Sequence, residues 1–106
     1  MTLNDLVYIR QLKEEDMPFI FATWLRQLWY AKTNHTTLTK SSFFKVYHEQ
    51  LEFLVRHHDT AVAALKDDPD TILGYLVDTE PTPFVYIKKA WRDVGIELAL
   101  KRKIEK

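Results

Sequence analysis

Hydrophobic residues recur at helical spacing in two stretches of this chain. The first runs from Met17 to about Tyr30, and the second begins after a polar loop over residues 31–39. Apolar residues three or four positions apart form one face of a helix, which predicts two amphipathic helices. The predicted apolar faces are Met17, Ile20, Phe21, Trp24, Leu25 and Leu28 in the first helix, and Phe44, Tyr47, Leu51 and Leu54 in the second. Thr39, Ser41 and Ser42 are candidate N-caps for the second helix.

Four short apolar runs are typical of strands: Leu6–Arg10, Ala61–Leu65, Ile72–Val77 and Phe84–Ile87. Aspartates and a proline fill residues 66–70, which predicts a turn and an antiparallel hairpin of the second and third runs. We expect the fourth run to be buried and to lie beside the third.

The last predicted element is a helix over Ile96–Ile104, with basic residues in its final turns, where the helix dipole favours them. Between it and the preceding strand lies Arg92-Asp93-Val94-Gly95, which holds one of only two glycines in the protein. Such a turn presents free backbone N–H groups to an anion, although glycine can also serve an ordinary turn. The predicted order is β-α-α-β-β-β-α, an α/β (α+β) domain with a mixed or antiparallel sheet of about four strands.

Composition narrows the possible classes of protein. A chain of 106 residues with 46% hydrophobic and 13% aromatic residues predicts one globular domain over residues 1–106. The formal net charge is zero, so we expect neither nucleic acid nor an anionic membrane as a partner. There are no cysteines, which excludes disulfides and thiolate chemistry and fits an intracellular protein. We find neither a signal peptide nor a membrane span.

Two other features offer candidate sites. His57-His58-Asp59 could suggest a metal, but adjacent residues at a helix end point in different directions, and His35 and His48 have no defined spacing to them. We therefore predict no metal. The aromatic residues of the first helix exceed what one helix face can bury, so part of this group is expected to form a partner patch. They are Phe19, Phe21, Trp24, Trp29 and Tyr30.

The turn before the last helix resembles the cofactor-binding motif of the GNAT superfamily of N-acetyltransferases, Gln/Arg-x-x-Gly-x-Gly/Ala. Arg92 and Gly95 match its first and fourth positions, whereas Glu97 stands at the last. The approach over residues 86–92, the Ile9-Arg10 and Glu15-Asp16 pairs, and Gly74 also resemble the family. The order of elements is that with which the GNAT fold opens. A complete member continues into further strands and a helix, so the resemblance implies a truncated GNAT-like fold ending at Lys106.

The resemblance implies acetyl-coenzyme A as cofactor, its pyrophosphate lying against the turn. The cofactor-binding residues so implied are Val85, Tyr86, Ile87, Arg92, Val94, Gly95, Ile96 and Glu97. Glu97 and Asp93 place carboxylates near the phosphate, which would weaken binding. The catalytic residues stay unknown: Tyr86 could offer a hydroxyl, but a tyrosine in a strand more often packs. Lys101-Arg102-Lys103 could meet a phosphate of the cofactor, but we interpret it as a solvated last turn.

Two hypotheses for function follow, and whether the chain is an enzyme stays open between them. The favoured one is a weakly active or non-catalytic GNAT-like domain that works through another protein chain or through self-association. From resemblance to short proteins of compact genomes, it could be a phage virion or assembly component, placed in the cytoplasm or in a phage particle. The alternative is an active acetyl-coenzyme A-dependent N-acetyltransferase completed by a second chain.

Overall fold

The structure, a computed structural model, describes residues 3–32 and 37–104. Its helices are α1 (Leu3–Leu6), α2 (Met17–Lys32), α3 (Lys40–His57) and α4 (Ile96–Ile104), and its strands are β1 (Val7–Gln11), β2 (Thr60–Leu65), β3 (Ile72–Val77) and β4 (Phe84–Ile87). Short 3-10 turns cover Glu14–Asp16 and Lys89–Trp91. His35 lies outside the described residues.

The four strands form one antiparallel sheet in the order β1-β2-β3-β4. Val62 lies opposite Tyr75 in the β2–β3 pair, and Tyr75 lies opposite Tyr86 in the β3–β4 pair. The predicted hairpin and the position of β4 beside β3 are therefore confirmed. Of the two predicted sheet types, the sheet is antiparallel throughout.

Helices cover both faces of the sheet. The core on one face joins α2 and α3 to Val62, Tyr75 and Val77, and the core on the other joins α4 to Ala61, Ala63 and Leu76. Because both faces of β2 and β3 are covered, these strands carry nearly continuous apolar runs in place of an alternating pattern.

The structure differs from the sequence prediction at the chain start and at β4. Leu3–Leu6 forms a helical turn that no sequence pattern predicted, and β1 consequently starts at Val7. The prediction that Phe84–Ile87 is a buried strand is wrong for three of its residues, since only Ile87 is buried and the others are half-buried. The reason is position, because β4 is an edge strand of the sheet.

The buried face of α3 is also rotated from the predicted one. The buried residues of α3 are Phe43, Leu51 and Val55, while the predicted Phe44, Tyr47 and Leu54 are partly buried against the same core. Leu98 of α4 is 54% exposed, because α4 turns Ile96 and Leu100 to the sheet. The predicted cap is present, as the Thr39 hydroxyl accepts a hydrogen bond from the Ser42 amide at 3.2 Å.

The aromatic group of α2 divides between core and surface. Phe21 and Trp24 are buried, and Trp24 stacks on Phe84 of β4 with a ring-centre distance of 4.2 Å. Tyr30 is 72% exposed. The predicted surplus of aromatic surface is therefore confirmed at Tyr30, and its use as a partner patch stays a prediction.

An ion pair fixes the entry into α2. Arg10 of β1 donates two hydrogen bonds to Asp16, at 2.7 and 2.9 Å, and the Lys13 amide donates a third at 2.7 Å. The side chains of Arg10 and Asp16 are only 9% and 6% exposed. The pair therefore joins the sheet to the start of α2 within the protein interior.

Gly74 allows the close approach of β3 and β4. A Cβ atom at this position would lie 2.6 Å from the carbonyl oxygen of Tyr86 and 2.8 Å from Cδ1 of Ile87. The first of these two atoms belongs to the backbone, so no change of side-chain rotamer can relieve the contact. A side chain at residue 74 would therefore push β4 away from the sheet.

Candidate functional site

A cleft of about 410 Å³ opens where β4 ends and α4 begins. Seven of the eight residues predicted from the sequence line it: Val85, Tyr86, Ile87, Arg92, Gly95, Ile96 and Glu97. Val94 does not line the cleft, and its side chain is 48% exposed to solvent. The structure thus brings the predicted residues together in one place, apart from Val94.

Three further residues line the cleft: Gln27, Trp91 and Asp93. Of these, only Asp93 was named from the sequence, as a carboxylate near the phosphate. Gln27 belongs to α2, which covers the opposite face of the sheet from α4. The cleft therefore extends around the open edge of β4 and draws on both helical layers. Asp93 lies within the predicted turn, and Trp91 lies directly before it, in the approach over residues 86–92.

The turn before α4 depends on two residues with a left-handed backbone. Asp93 has φ 65° and Gly95 has φ 99°. Aspartate tolerates such a conformation moderately well, whereas at Gly95 any side chain would be strained. The one nearby atom that a Cβ at Gly95 would meet is Cδ2 of Leu3, at 3.6 Å. Glycine is therefore needed here for backbone conformation more than for close packing.

The start of α4 offers backbone donors to the cleft. Its first helical hydrogen bond runs from the Ala99 amide to the Gly95 carbonyl, at 3.1 Å. The amides of Ile96, Glu97 and Leu98 precede that bond and so have no acceptor within the helix. Unsatisfied N–H groups and the positive end of the helix dipole together suit an anion.

The open edge of β4 supplies further polar backbone groups. The Lys88 amide donates to the Leu73 carbonyl at 2.8 Å. Along an antiparallel ladder, every second residue of a strand bonds to its neighbour strand and the residues between point their N–H and C=O groups away from it. Since Lys88 bonds to β3, the backbone groups of Ile87 and Val85 point outward, away from β3. The outward carbonyl of Ile87 accepts a hydrogen bond from Arg92 Nε at 3.0 Å.

The carboxylate of Glu97 is engaged along its own helix. Its Oε2 lies 3.1 Å from Nζ of Lys101, one helical turn further on, and both side chains are about half exposed. Its place in the first turn of α4 also suits an acid, because the helix dipole favours negative charge there. The ion pair offsets part of the negative charge that an arriving phosphate would meet.

Two tyrosines lie near the cleft, in different surroundings. Tyr86 lines it and stacks on Tyr75 with a ring-centre distance of 5.5 Å, so it packs as the sequence favoured while its ring remains half-buried. Tyr75 is fully buried, and its hydroxyl lies 2.6 Å from Oγ1 of Thr23. Burial raises the pKa of Tyr75, which makes it an unsuitable proton donor at neutral pH.

The lining fits the phosphate portion of coenzyme A. Amides at the start of α4 and outward backbone groups on β4 would hold an anion and an amide-containing chain side by side. The titratable side chains in the lining are Tyr86, Arg92, Asp93 and Glu97. Their formal charge is negative by one, so the backbone amides are the principal source of attraction for an anion.

The histidines at the end of α3 are occupied locally. Nδ1 of His57 lies 2.8 Å from the Phe53 carbonyl, and Nδ1 of His58 lies 2.8 Å from the Leu54 carbonyl. Within residues 3–32 and 37–104, no cluster of three or more potential ligands could hold a metal ion. In the same residues, no helix has the length and apolar character needed to cross a membrane.

Three of the solved structures with a similar fold are described as acetyltransferases. A candidate acetyl transfer enzyme from Pyrococcus furiosus shares 22% identity with this chain at a TM-score of 0.64, covering 92% of this chain and 71% of that one. A possible acetyltransferase from Clostridium difficile 630 shares 18% identity at a TM-score of 0.58, covering 93% of this chain and 68% of that one. A GNAT-family acetyltransferase from Staphylococcus aureus Mu50 shares 12% identity at a TM-score of 0.55, covering 92% of this chain and 62% of that one.

The match in sequence is much weaker than the match in structure. No family model and no curated protein matches this sequence. The chain spans between 62% and 71% of the lengths of these three structures. At such identities a structural likeness establishes the fold, and it agrees with the strand and helix order described above. This chain therefore has the fold of the GNAT acetyltransferases.

Proposed function

We propose that this chain is a GNAT-like domain that binds acetyl-coenzyme A in the cleft between β4 and α4, transfers the acetyl group poorly or not at all by itself, and works with another protein chain. The observation that carries the proposal is the start of α4. There, the left-handed turn at Gly95 leads into the amides of Ile96 and Glu97, which lack helical acceptors and belong to residues that line the cleft.

Each part of the lining has a place in this binding. The amides of Ile96 to Leu98 would hold the pyrophosphate, and the outward amide of Ile87 would meet a pantetheine carbonyl. Bound acetyl-coenzyme A supplies a thioester from which an acetyl group can pass to an amine. The chain's own residues bind and orient the cofactor, and Tyr86 is the one side chain in the lining with a hydroxyl group.

The described residues favour weak transfer over efficient transfer. Efficient acyl transfer needs a group that holds or moves a proton beside the reacting atoms. The carboxylates in the lining, Asp93 and Glu97, belong to the turn and the first turn of α4, where the phosphates would lie. A general acid or base other than Tyr86 would therefore come from outside this lining.

The second candidate function is an active N-acetyltransferase completed by a second chain. The open edge of β4 favours it, since the outward backbone of Val85 can pair with an added strand. Steady-state assays with acetyl-coenzyme A and a panel of primary amines separate the two. Turnover that rises steeply with protein concentration would support completion by a second copy. A virion or assembly role stays a prediction.

Titration calorimetry with acetyl-coenzyme A tests the proposed binding, and we expect weak but measurable affinity. Replacing Glu97 by Gln or Gly should strengthen it by about threefold to tenfold, because a negative charge near the phosphate is removed and salt screening limits the gain. Glu49→Gln, on the exposed side of α3, is the matched control and should leave the affinity unchanged. No heat of binding from any of the four proteins would refute cofactor binding.

The open edge of β4 also predicts association. Soluble proteins rarely leave a sheet edge unprotected, so we expect a second polypeptide to lie along β4. In a purified sample the available partner is a second copy, detectable by light scattering. The amide of Val85, which points outward, should then exchange slowly with solvent. A strictly monomeric sample whose Val85 amide exchanges freely would contradict the expectation.

A further inference from the structure

We propose that Arg92 is a positioning residue: its Nε–H ties the turn before α4 to the end of β4, and its charge does not hold the cofactor phosphates. This inference rests on the proposed function, because it assigns the part that Arg92 plays in the same cleft. The resemblance in sequence implied only that Arg92 is one of the cofactor-binding residues of the turn.

The hydrogen bond of Arg92 joins two elements that the chain otherwise connects only through a turn. Nε donates to the carbonyl of Ile87, the last residue of β4, at 3.0 Å in a partly buried position. That carbonyl points away from β3 and so has no acceptor role within the ladder. The bond therefore fastens residue 92 to the strand across five positions of chain.

The segment after Arg92 has little else to fix its conformation. Within it the backbone is left-handed at Asp93 and again at Gly95. Before this segment, the Trp91 amide donates to the Lys88 carbonyl at 2.8 Å, and the Arg92 amide donates to the Lys89 carbonyl at 3.4 Å. The longer of these bonds is weak by ordinary geometry. Loss of the Arg92 side-chain bond would thus free the turn that sets the direction of the α4 amides.

The charges in the lining also argue against a purely electrostatic role. Arg92 is the one cation among the lining residues, and Asp93 and Glu97 are anions. An anion is therefore drawn mainly by oriented backbone N–H groups, which act only when the turn holds its shape. Holding that shape is the larger contribution that Arg92 can make.

Three substitutions separate hydrogen bonding from charge. Gln carries an N–H donor at the same number of bonds from Cα as Arg Nε, but it has no charge. Lys keeps the charge but places its nitrogen one atom further out. Leu has a similar stem and no donor. Arg92→Gln, Arg92→Lys and Arg92→Leu therefore form a matched series at one position.

Two measurements on this series test the proposal. The first is the affinity for acetyl-coenzyme A by calorimetry. We expect Arg92→Gln to stay within about threefold of the wild type, and Arg92→Leu to lose about tenfold or more, as expected for a lost hydrogen bond from a charged donor. The affinity of Arg92→Lys for acetyl-coenzyme A should be well below that of Arg92→Gln. Equal losses in the Gln and Leu variants, with affinity retained in the Lys variant, would overturn the proposal.

The second measurement needs no cofactor. Hydrogen exchange in the free protein follows the amide of Ala99, whose acceptor is the Gly95 carbonyl. This amide should exchange faster in Arg92→Leu than in the wild type, and its exchange rate in Arg92→Gln should return to the wild-type value. Unchanged exchange in Arg92→Leu would refute the positioning role. If the wild type fails to bind acetyl-coenzyme A, the proposed function falls while the exchange comparison still decides the role of Arg92.

Discussion

Gly95→Val should abolish binding of acetyl-coenzyme A. Gly95 has φ 99°, a backbone conformation that a β-branched residue can adopt only with strain. The valine side chain would also press on Leu3, whose Cδ2 lies 3.6 Å from a Cβ at this position, and so disturb the turn that presents the α4 amides. Calorimetric titration measures the loss directly. The strained backbone should in addition cost about 1–3 kcal/mol of unfolding free energy, measured by urea denaturation.

Two further variants show whether the loss arises at the turn itself. Gly95→Ala adds only a Cβ, so its affinity should fall between those of the wild type and Gly95→Val. Asp93→Gly removes a carboxylate from the other left-handed position and should bind at least as tightly as the wild type, because glycine adopts φ 65° without strain and a negative charge is lost from the lining. Full affinity in a folded Gly95→Val protein would exclude this turn as the phosphate site.

Asp16→Asn should destabilise the protein more than any surface substitution. The Asp16 carboxylate accepts two hydrogen bonds from Arg10 and one from the Lys13 amide, and its side chain is 6% exposed. Asparagine keeps the shape but leaves the Arg10 charge without its counter-ion in a buried position. Breaking a buried pair in this way costs about 3–5 kcal/mol. Since small domains are stable by only about 5–15 kcal/mol, the variant should unfold at much lower urea concentration.

The pH dependence of this effect follows from the pKa of Asp16. Burial alone would raise it, but the hydrogen bonds from Arg10 and the Lys13 amide outweigh burial and leave the pKa of Asp16 below its ordinary value. A carboxyl group with a lowered pKa in the folded state stabilises the protein above the unfolded pKa of about 3.9. This stabilisation is lost as the pH falls from there through the folded pKa.

The stability difference between wild type and Asp16→Asn should therefore narrow below about pH 4. Urea denaturation at neutral pH and at several acidic values measures it. Glu14→Gln is the control, because the ion pair of Glu14 with Arg56 is exposed and should contribute little at any pH. A difference that stays constant from neutral pH into the acid range would show that the Asp16 charge is not what stabilises the native state.

Local patterns in the sequence were enough to predict the order of the elements. Apolar residues at steps of three and four predicted α2 and α3, and short apolar runs separated by Asp and Pro residues predicted the β2–β3 hairpin. These patterns depend only on residues close together in the sequence, so they can be recognised without knowledge of distant contacts. The position of the cleft was predictable for the same reason, because most of its lining comes from the continuous stretch of residues 85–97.

Contacts between distant parts of the chain decided what the sequence left open. Gln27 reaches the cleft only because α2 lies across the sheet beside the open edge of β4, some sixty residues further along the chain. The half-buried state of β4 likewise follows from its place at the edge of the sheet. Local composition cannot reveal such a place, since an edge strand and a central strand can have the same residues.

The orientation of side chains in the turn was also a tertiary property. The sequence placed Arg92 and Glu97 in the motif, and it allowed both to face a phosphate. In the structure Arg92 donates to the Ile87 carbonyl and Glu97 pairs with Lys101. The first partner is available because β4 ends with an outward carbonyl, and the second because α4 brings residues four apart together. Sequence alone therefore determined where an anion site could form, and the three-dimensional structure decided which groups are free to form it.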